Sequence, residues 1–290
     1  MILIVTALKI EADPFISFFR LKKNMAITAF SVYQKEEIAL IISGTGKLRA
    51  AIATTLLLTQ YGHATENHLL VNVGFCGCFD KCIPIGSICQ VAKVSDMDTL
   101  RDYYPELFDT RTPAIQSLAC YSHIVREEDA DIFRRPEGTL LCDMESAGIM
   151  EASTRLLETH RVMILKIVSD HLATISSTRA DYIEMMDSHA DFLTSAIKKA
   201  YCEITSAQPA RMRSEITELL EITARSLRLT VAMRQILQGL LLRAEQNDLD
   251  PTDLLARAAV TPVTTRSDRR LAFDQLLEDL KEQYVSRDLH

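Results

Sequence analysis

Val162-Met163-Ile164-Leu165-Lys166-Ile167-Val168-Ser169-Asp170 is an apolar run broken only by Lys166 and followed by a carboxylate. Residues 162–168 read as a fully apolar strand, short and rich in β-branched side chains. Just upstream, 140–142 is a short strand and 147–157 has helical spacing. Downstream, 178–201 is a long helix opened by a capping box at Thr178 and Asp181. The same alternation runs back to the start of the chain. Residues 2–6 are a β-branched run, and 9–20 mix polar and apolar positions. Strands over 27–33 and 38–42 flank a turn at Gln34-Lys35-Glu36-Glu37. A helix over 48–58 follows Gly44-Thr45-Gly46. A strand over 69–73 then ends in a glycine turn at Gly74 and Gly77, and 85–94 alternates like a strand. Strands alternating with helices predict a three-layer α/β domain around a mixed, mostly parallel sheet.

The pattern changes near Gln208-Pro209-Ala210. Beyond Ser214 strand signals stop and Leu, Arg and Glu recur at helical spacing. Asp250-Pro251-Thr252-Asp253 reads as a helix start, and a last helix covers about 268–284. The expected organisation is an α/β domain over 1–210 and an all-helical appendage over 211–290, small helices packed together rather than a coiled coil.

Composition narrows the partners. A net charge of −7 argues against a sequence-independent nucleic-acid surface. Residues 1–8 are apolar but lack a basic flank and soon meet Lys9, Glu11 and Asp13, so they read as a first strand, not a leader. No apolar run approaches the ~18 residues that span a bilayer. Seven cysteines without a regular framework suit a reducing cytoplasm. Cys76, Cys78 and Cys82 are too few for a metal site at known spacing, and no metal or cofactor is expected. Gly44-Thr45-Gly46-Lys47 lacks the upstream glycine and the Ser or Thr of a P-loop.

Three carboxylates stand at strand ends: Glu11 after the first strand, Glu145 within Asp143-Met144-Glu145-Ser146, and Asp170 after the apolar strand. Singly, each fits a first-turn Glu or a helix-capping Asp equally well. Together with the glycine motifs they resemble the nucleoside phosphorylase/nucleosidase superfamily, and in particular the methylthioadenosine/adenosylhomocysteine nucleosidases. The resemblance rests on Ala7-Leu8 before Glu11, Ser43-Gly44-Thr45-Gly46-Lys47, Asn72-Val73-Gly74-Phe75-Cys76-Gly77, Asp143-Met144-Glu145-Ser146 and Ser169-Asp170, in that order, over residues 1 to about 200. The Asp-Met-Glu-Ser form is also similar to hopanoid-associated nucleoside phosphorylases. It implies a phosphorylase-like αβα domain that cleaves the N-glycosidic bond of a purine nucleoside, adenine-type, in a homo-oligomer, dimer or hexamer.

Such chemistry forms an oxocarbenium-like ribosyl cation and a purine that leaves poorly as an anion. Asp170 then resembles the acid that protonates the base, a task suited to a raised pKa. Glu145 would bind the ribose hydroxyls and favour the cation by its charge. Met144 would floor the sugar, and Glu11 would act as base for the attacking water. Phe75, Cys76, Gly77, Ser169 and Lys166 complete the expected substrate-binding set. Phosphorylases of this superfamily hold phosphate with arginines, whereas Asn72 stands before the Val73-Gly74 pair and no arginine lies between the first strand and Glu11. Without a guanidinium clamp phosphate is poorly held, so hydrolysis is favoured over phosphorolysis, and a non-catalytic nucleoside-binding or regulatory module is the third reading. The nucleosidases usually carry Arg where Lys166 stands, and a Ser where Phe75 stands. Phe75 either narrows the nucleophile pocket or turns from it. Tyr103, Tyr104, Phe108 and Tyr121 are the candidates for stacking on the base.

Overall fold

Strand β1 (Ile2–Thr6) sets the layers, because its alternate residues feed two different cores. In the computed structural model, Leu3 and Val5 pack with Ala50, Ala53 and Leu57 of α2 (Lys47–Tyr61) and with Ile149 and Met150 of α3 (Ser146–Leu156). Ile2 and Ile4 pack with Ala12 and Phe15 of α1 (Lys9–Phe19) and with Leu193 and Ile197 of α4 (Arg179–Ser206). Helices therefore cover both faces of one sheet, the three-layer α/β arrangement expected from the sequence. The structure describes residues 1–61, 68–108, 114–126, 138–157, 161–172, 178–206, 213–246 and 249–287.

The remaining strands are β2 (Lys22–Lys23), β3 (Ser31–Lys35), β4 (Ile38–Ile42), β5 (Leu69–Cys78), β6 (Ile88–Asp96), β7 (Arg101–Tyr103), β8 (Ile115–Cys120), β9 (Thr139–Asp143) and β10 (Val162–Asp170). One wing runs β5-β1-β4-β3-β2. On the other side β5 pairs with β10, β10 with β6, β6 with β8, β8 with β9, and β9 returns to β5. These five strands close into a ring, and β7 pairs with β6 at its edge. The sheet is mixed, but not mostly parallel: half of its pairings among the described residues are antiparallel. The antiparallel share comes from ring closure at β10–β6 and β5–β9, from the β2-β3-β4 run, whose β3–β4 turn passes through Glu36 at φ 50°, and from β7 on β6.

Gly74 and Gly77 do not end a strand, because β5 continues through them to Cys78. Gly77 pairs with Asp170 of β10 and with Cys142 of β9, and a Cβ there would stand 2.7 Å from Leu172 Cδ2. The glycine is needed for the close approach of three strands rather than for a turn. The segment 27–33 is also shifted, since the strand begins at Ser31.

The chain divides into two compact units, Met1–Ser206 and Ala207–His290. The predicted junction at Gln208-Pro209-Ala210 lies outside the described residues. In the second unit α5 (Ser214–Ser226), α6 (Val231–Gln246), α7 (Thr252–Ala259) and α8 (Arg266–Arg287) share an apolar interior. Ile216, Leu220, Leu241, Leu255, Phe273 and Leu277 are buried there, and Thr223 Oγ1 donates to the Leu255 carbonyl at 3.1 Å. No described helix is long and apolar enough to cross a membrane.

Candidate active site

A cavity of about 1110 Å³ opens where the C-terminal ends of β1, β4, β9 and β10 meet the last part of β5. Sheets with parallel strands gather their functional residues at such ends. Glu11, Phe75, Cys76, Gly77, Met144, Glu145, Ser169 and Asp170 all line it. Eight of the nine residues expected to form a site, from four separate segments, thus meet around one space.

Glu11 sits on the first turn of α1 and is almost wholly buried. Its Oε2 accepts the Ala7 and Leu8 amides, each at 2.8 Å, and its Oε1 accepts the Phe75 amide at 2.9 Å. Burial raises its pKa, against the opposing effect of those amides and of the Lys166 charge. The carboxyl is thereby fixed in orientation by main chain alone and held less acidic than an ordinary glutamate.

Glu145 lies between β9 and α3, and its Oε1 accepts the Gly46 amide at 2.8 Å, just before α2 begins. Burial first, and then the Asp143 charge, push its pKa up to about 7. Asp143 itself faces inward. Its Oδ2 receives Lys166 Nζ at 2.8 Å, Ser146 N at 3.0 Å and Ser146 Oγ at 2.5 Å. Burial opposes its ionisation, but the Lys166 charge and these bonds outweigh it and hold the Asp143 pKa below the usual range.

Lys166 is the exception among the expected substrate-binding residues. It is 1% exposed, behind the cavity wall rather than on it. Burial would strip its proton, but the charges of Asp143, Glu145 and Glu11 more than offset that and keep it cationic. It is the buried counter-charge of the three carboxylates.

Asp170 ends β10, with Oδ1 accepting the Leu172 amide at 2.9 Å. Ser169 Oγ lies 2.7 Å from Asp170 Oδ2 and 3.1 Å from the Cys76 carbonyl. One hydroxyl proton serves either contact. With Asp170 ionised the serine donates to it; with Asp170 protonated the serine accepts from it and donates to Cys76. Ser169 therefore satisfies both protonation states without moving.

Phe75 does line the cavity, its ring packed edge-on against Tyr182 of α4 at 5.0 Å. Tyr182 was not singled out from the sequence, nor were His123, Ile124, Val125 and Arg126, which follow β8 and line the cavity too. Tyr103, Tyr104, Phe108 and Tyr121 do not line it. Tyr103 donates instead to Glu151, and Phe108 is tied through its main chain to Gln90. Among the described residues no cluster of His, Cys, Asp or Glu has the geometry to hold a metal ion.

The profile of the Phosphorylase superfamily matches residues 2–122. A 5'-methylthioadenosine/S-adenosylhomocysteine nucleosidase of Marinomonas sp. (strain MWYL1) is 36% identical over 56 residues, which are 19% of this chain and 22% of that protein. Two solved structures with similar folds are nucleosidases of that name. The one from Helicobacter pylori, with butyl-thio-DADMe-Immucillin-A, has a TM-score of 0.57 at 14% identity, covering 68% of this chain and 97% of that one. The one from Colwellia psychrerythraea 34H, in complex with adenine, has a TM-score of 0.57 at 17% identity, covering 70% and 95%. The futalosine hydrolase of Helicobacter pylori strain 26695 has a TM-score of 0.58 at 15% identity, covering 68% and 97%. The resemblance to the nucleoside phosphorylase/nucleosidase superfamily read from the motifs therefore holds, in sequence over residues 2–122 and in fold over about two-thirds of the chain.

Proposed function

We propose that the first unit is a hydrolase of the N-glycosidic bond of a purine nucleoside, adenine-type, with Asp170 as the acid to the base. The observation that carries this reading is the meeting of Glu11, Glu145 and Asp170 around one cavity, each held in a distinct way. Asp170, whose serine partner accommodates both protonation states, delivers a proton to the leaving purine. Glu145 binds ribose hydroxyls, and its charge favours the ribosyl cation, with Met144 beneath the sugar. Glu11, held less acidic by burial, takes the proton of the attacking water. Cys76 and Gly77 offer backbone to the base, and Phe75 with Tyr182 forms an aromatic wall.

The solved relatives support this reading by name, since they include nucleosidases holding a nucleoside analogue or adenine, and a futalosine hydrolase. Phosphorolysis is the second reading. Arg126 is the one observation in its favour, as the only arginine among the described lining residues. It does not come from the segments where the phosphorylases place their clamp, and a single guanidinium is a weak holder of a dianion. We assign the protein to the cytoplasm, in keeping with its free cysteines, and to a homo-oligomer. Leu48 and Ile52, one turn apart on α2, are 82% and 61% exposed, as a buried face between subunits would require. Light scattering tests that directly, and a monodisperse monomer would refute it.

The chemistry is tested by turnover in water enriched in oxygen-18. Hydrolysis places the label on the anomeric carbon of the released sugar. A sugar 1-phosphate, formed only with phosphate present, would establish the second reading instead.

A further inference from the structure

Lys47 opens α2 and is not needed by the chemistry above, yet it is tied in three directions. Its Nζ lies 2.5 Å from Asp96 Oδ1 and 2.5 Å from Asp98 Oδ2. Its side chain is 12% exposed and that of Asp96 10%, so the first pair is largely withdrawn from water. Asp96 Oδ2 also receives Thr99 Oγ1 at 2.6 Å, and Asp98 Oδ2 receives Ser122 Oγ. Ser122 directly precedes His123, Ile124, Val125 and Arg126, which form one wall of the cavity. On the main-chain side, the neighbouring Gly46 amide donates to Glu145, and the Lys47 carbonyl lies against Gly148 of α3.

We infer that Lys47 is a positioning residue that ties the cavity wall at 123–126, through Asp98 and Ser122, to the helix start that also orients Glu145. The inference rests on the proposed nucleosidase reading for its consequence, but the tie itself is independent of it. An exposed ion pair would contribute little. A largely buried ammonium shared by two carboxylates differs, because removing it leaves both without their counter-charge. Methionine at position 47 fills the same space without the charge, while Gly46 and the α2 backbone keep their contact with Glu145. The wall loosens and the proton-transfer groups stay in place.

The test uses the full chain as wild type, Lys47→Met, Lys47→Arg and Asp98→Asn. Asp98 is half-exposed, so its variant keeps the protein folded if Lys47→Met does not. Amide hydrogen exchange in the ligand-free protein is read over residues 114–126, and base release from methylthioadenosine gives KM and kcat. Lys47→Met and Asp98→Asn should exchange at least several-fold faster over 114–126. KM should rise on the order of tenfold, with kcat changed much less, and Lys47→Arg should recover most of both. Unchanged exchange over 114–126 in both variants, or a loss confined to kcat, overturns the inference. If the wild type releases no base, the nucleosidase reading fails and the exchange result alone decides whether the tie exists.

Discussion

Lys166 Nζ lies 2.8 Å from Asp143 Oδ2, and each of the two side chains is 1% exposed. One buried ammonium thus balances three carboxylates, Asp143, Glu145 and Glu11, and all three residues border the cavity. Breaking such a pair leaves an uncompensated charge in the interior, at a cost of about 3–5 kcal/mol. Lys166→Met should lose about that much in urea denaturation, and Lys166→Arg much less. In any Lys166→Met protein that still folds, the Glu145 pKa should rise further, since the Lys166 charge lowers it. A methionine variant as stable as wild type would contradict this electrostatic picture.

Glu145, with a pKa raised to about 7, makes stability and activity run in opposite directions. A raised carboxyl pKa favours the folded state fully below the unfolded value, near 4.3, and that advantage is lost as pH rises through about 7. Glu145→Gln keeps an oxygen for the Gly46 amide but cannot ionise. It should melt at a higher temperature than wild type at pH 8, with the difference shrinking toward pH 4.5. Turnover should fall on the order of a hundredfold or more, and the rise in kcat/KM through pH 7 should vanish. Parallel melting profiles for the two proteins across that range would show that Glu145 titrates normally.

Gly148 marks where α3 crosses the start of α2. A Cβ there would stand 2.1 Å from the Lys47 carbonyl oxygen, which is backbone and cannot swing aside. Gly148→Ala should cost about 3 kcal/mol in thermal or chemical unfolding, the upper range for overpacking. In whatever fraction folds, KM should rise, because α2 must retreat and take the Gly46 amide from Glu145. A variant that melts with wild type would mean the two helices are not packed so closely.

Asp170 and Ser169 should separate by magnitude. Asp170→Asn removes the proton donor and should lower kcat by a factor on the order of 100 to 10,000. Ser169→Ala leaves the acid but removes the hydroxyl that serves both its protonation states, so kcat should fall on the order of tenfold. Single-turnover base release measures both. Equal losses in the two variants would make Ser169 more than a partner to Asp170.

Much of the fold was legible because its signals are local. The apolar run at 162–168, the glycine motifs and the capping residues Thr178 and Asp181 each rest on neighbours in sequence. The ring was not legible, because its closure by β9 on β5 is a long-range pairing, and β8 at residues 115–120 carries no clean alternation. The site divides in the same way. Glu11, Glu145 and Asp170 follow recognisable strands, whereas Tyr182 is one polar aromatic on a helix and His123 to Arg126 form an unpatterned loop. Lys166 showed itself as an interruption of an apolar strand, but its burial behind the wall depends on Asp143 across the ring. Only residue type marks Tyr103, Tyr104, Phe108 and Tyr121 in the sequence, whereas the aromatic pair at the cavity is Phe75 and Tyr182.

Free-base release tests the central claim most directly. Methylthioadenosine, adenosylhomocysteine, adenosine and inosine would each be incubated with the protein, with and without phosphate. Adenine should be released from one or more of the adenine nucleosides at a rate independent of phosphate. Release only with phosphate would contradict the assignment of water as nucleophile, and no release from any of them would contradict the assignment of glycosidic cleavage itself.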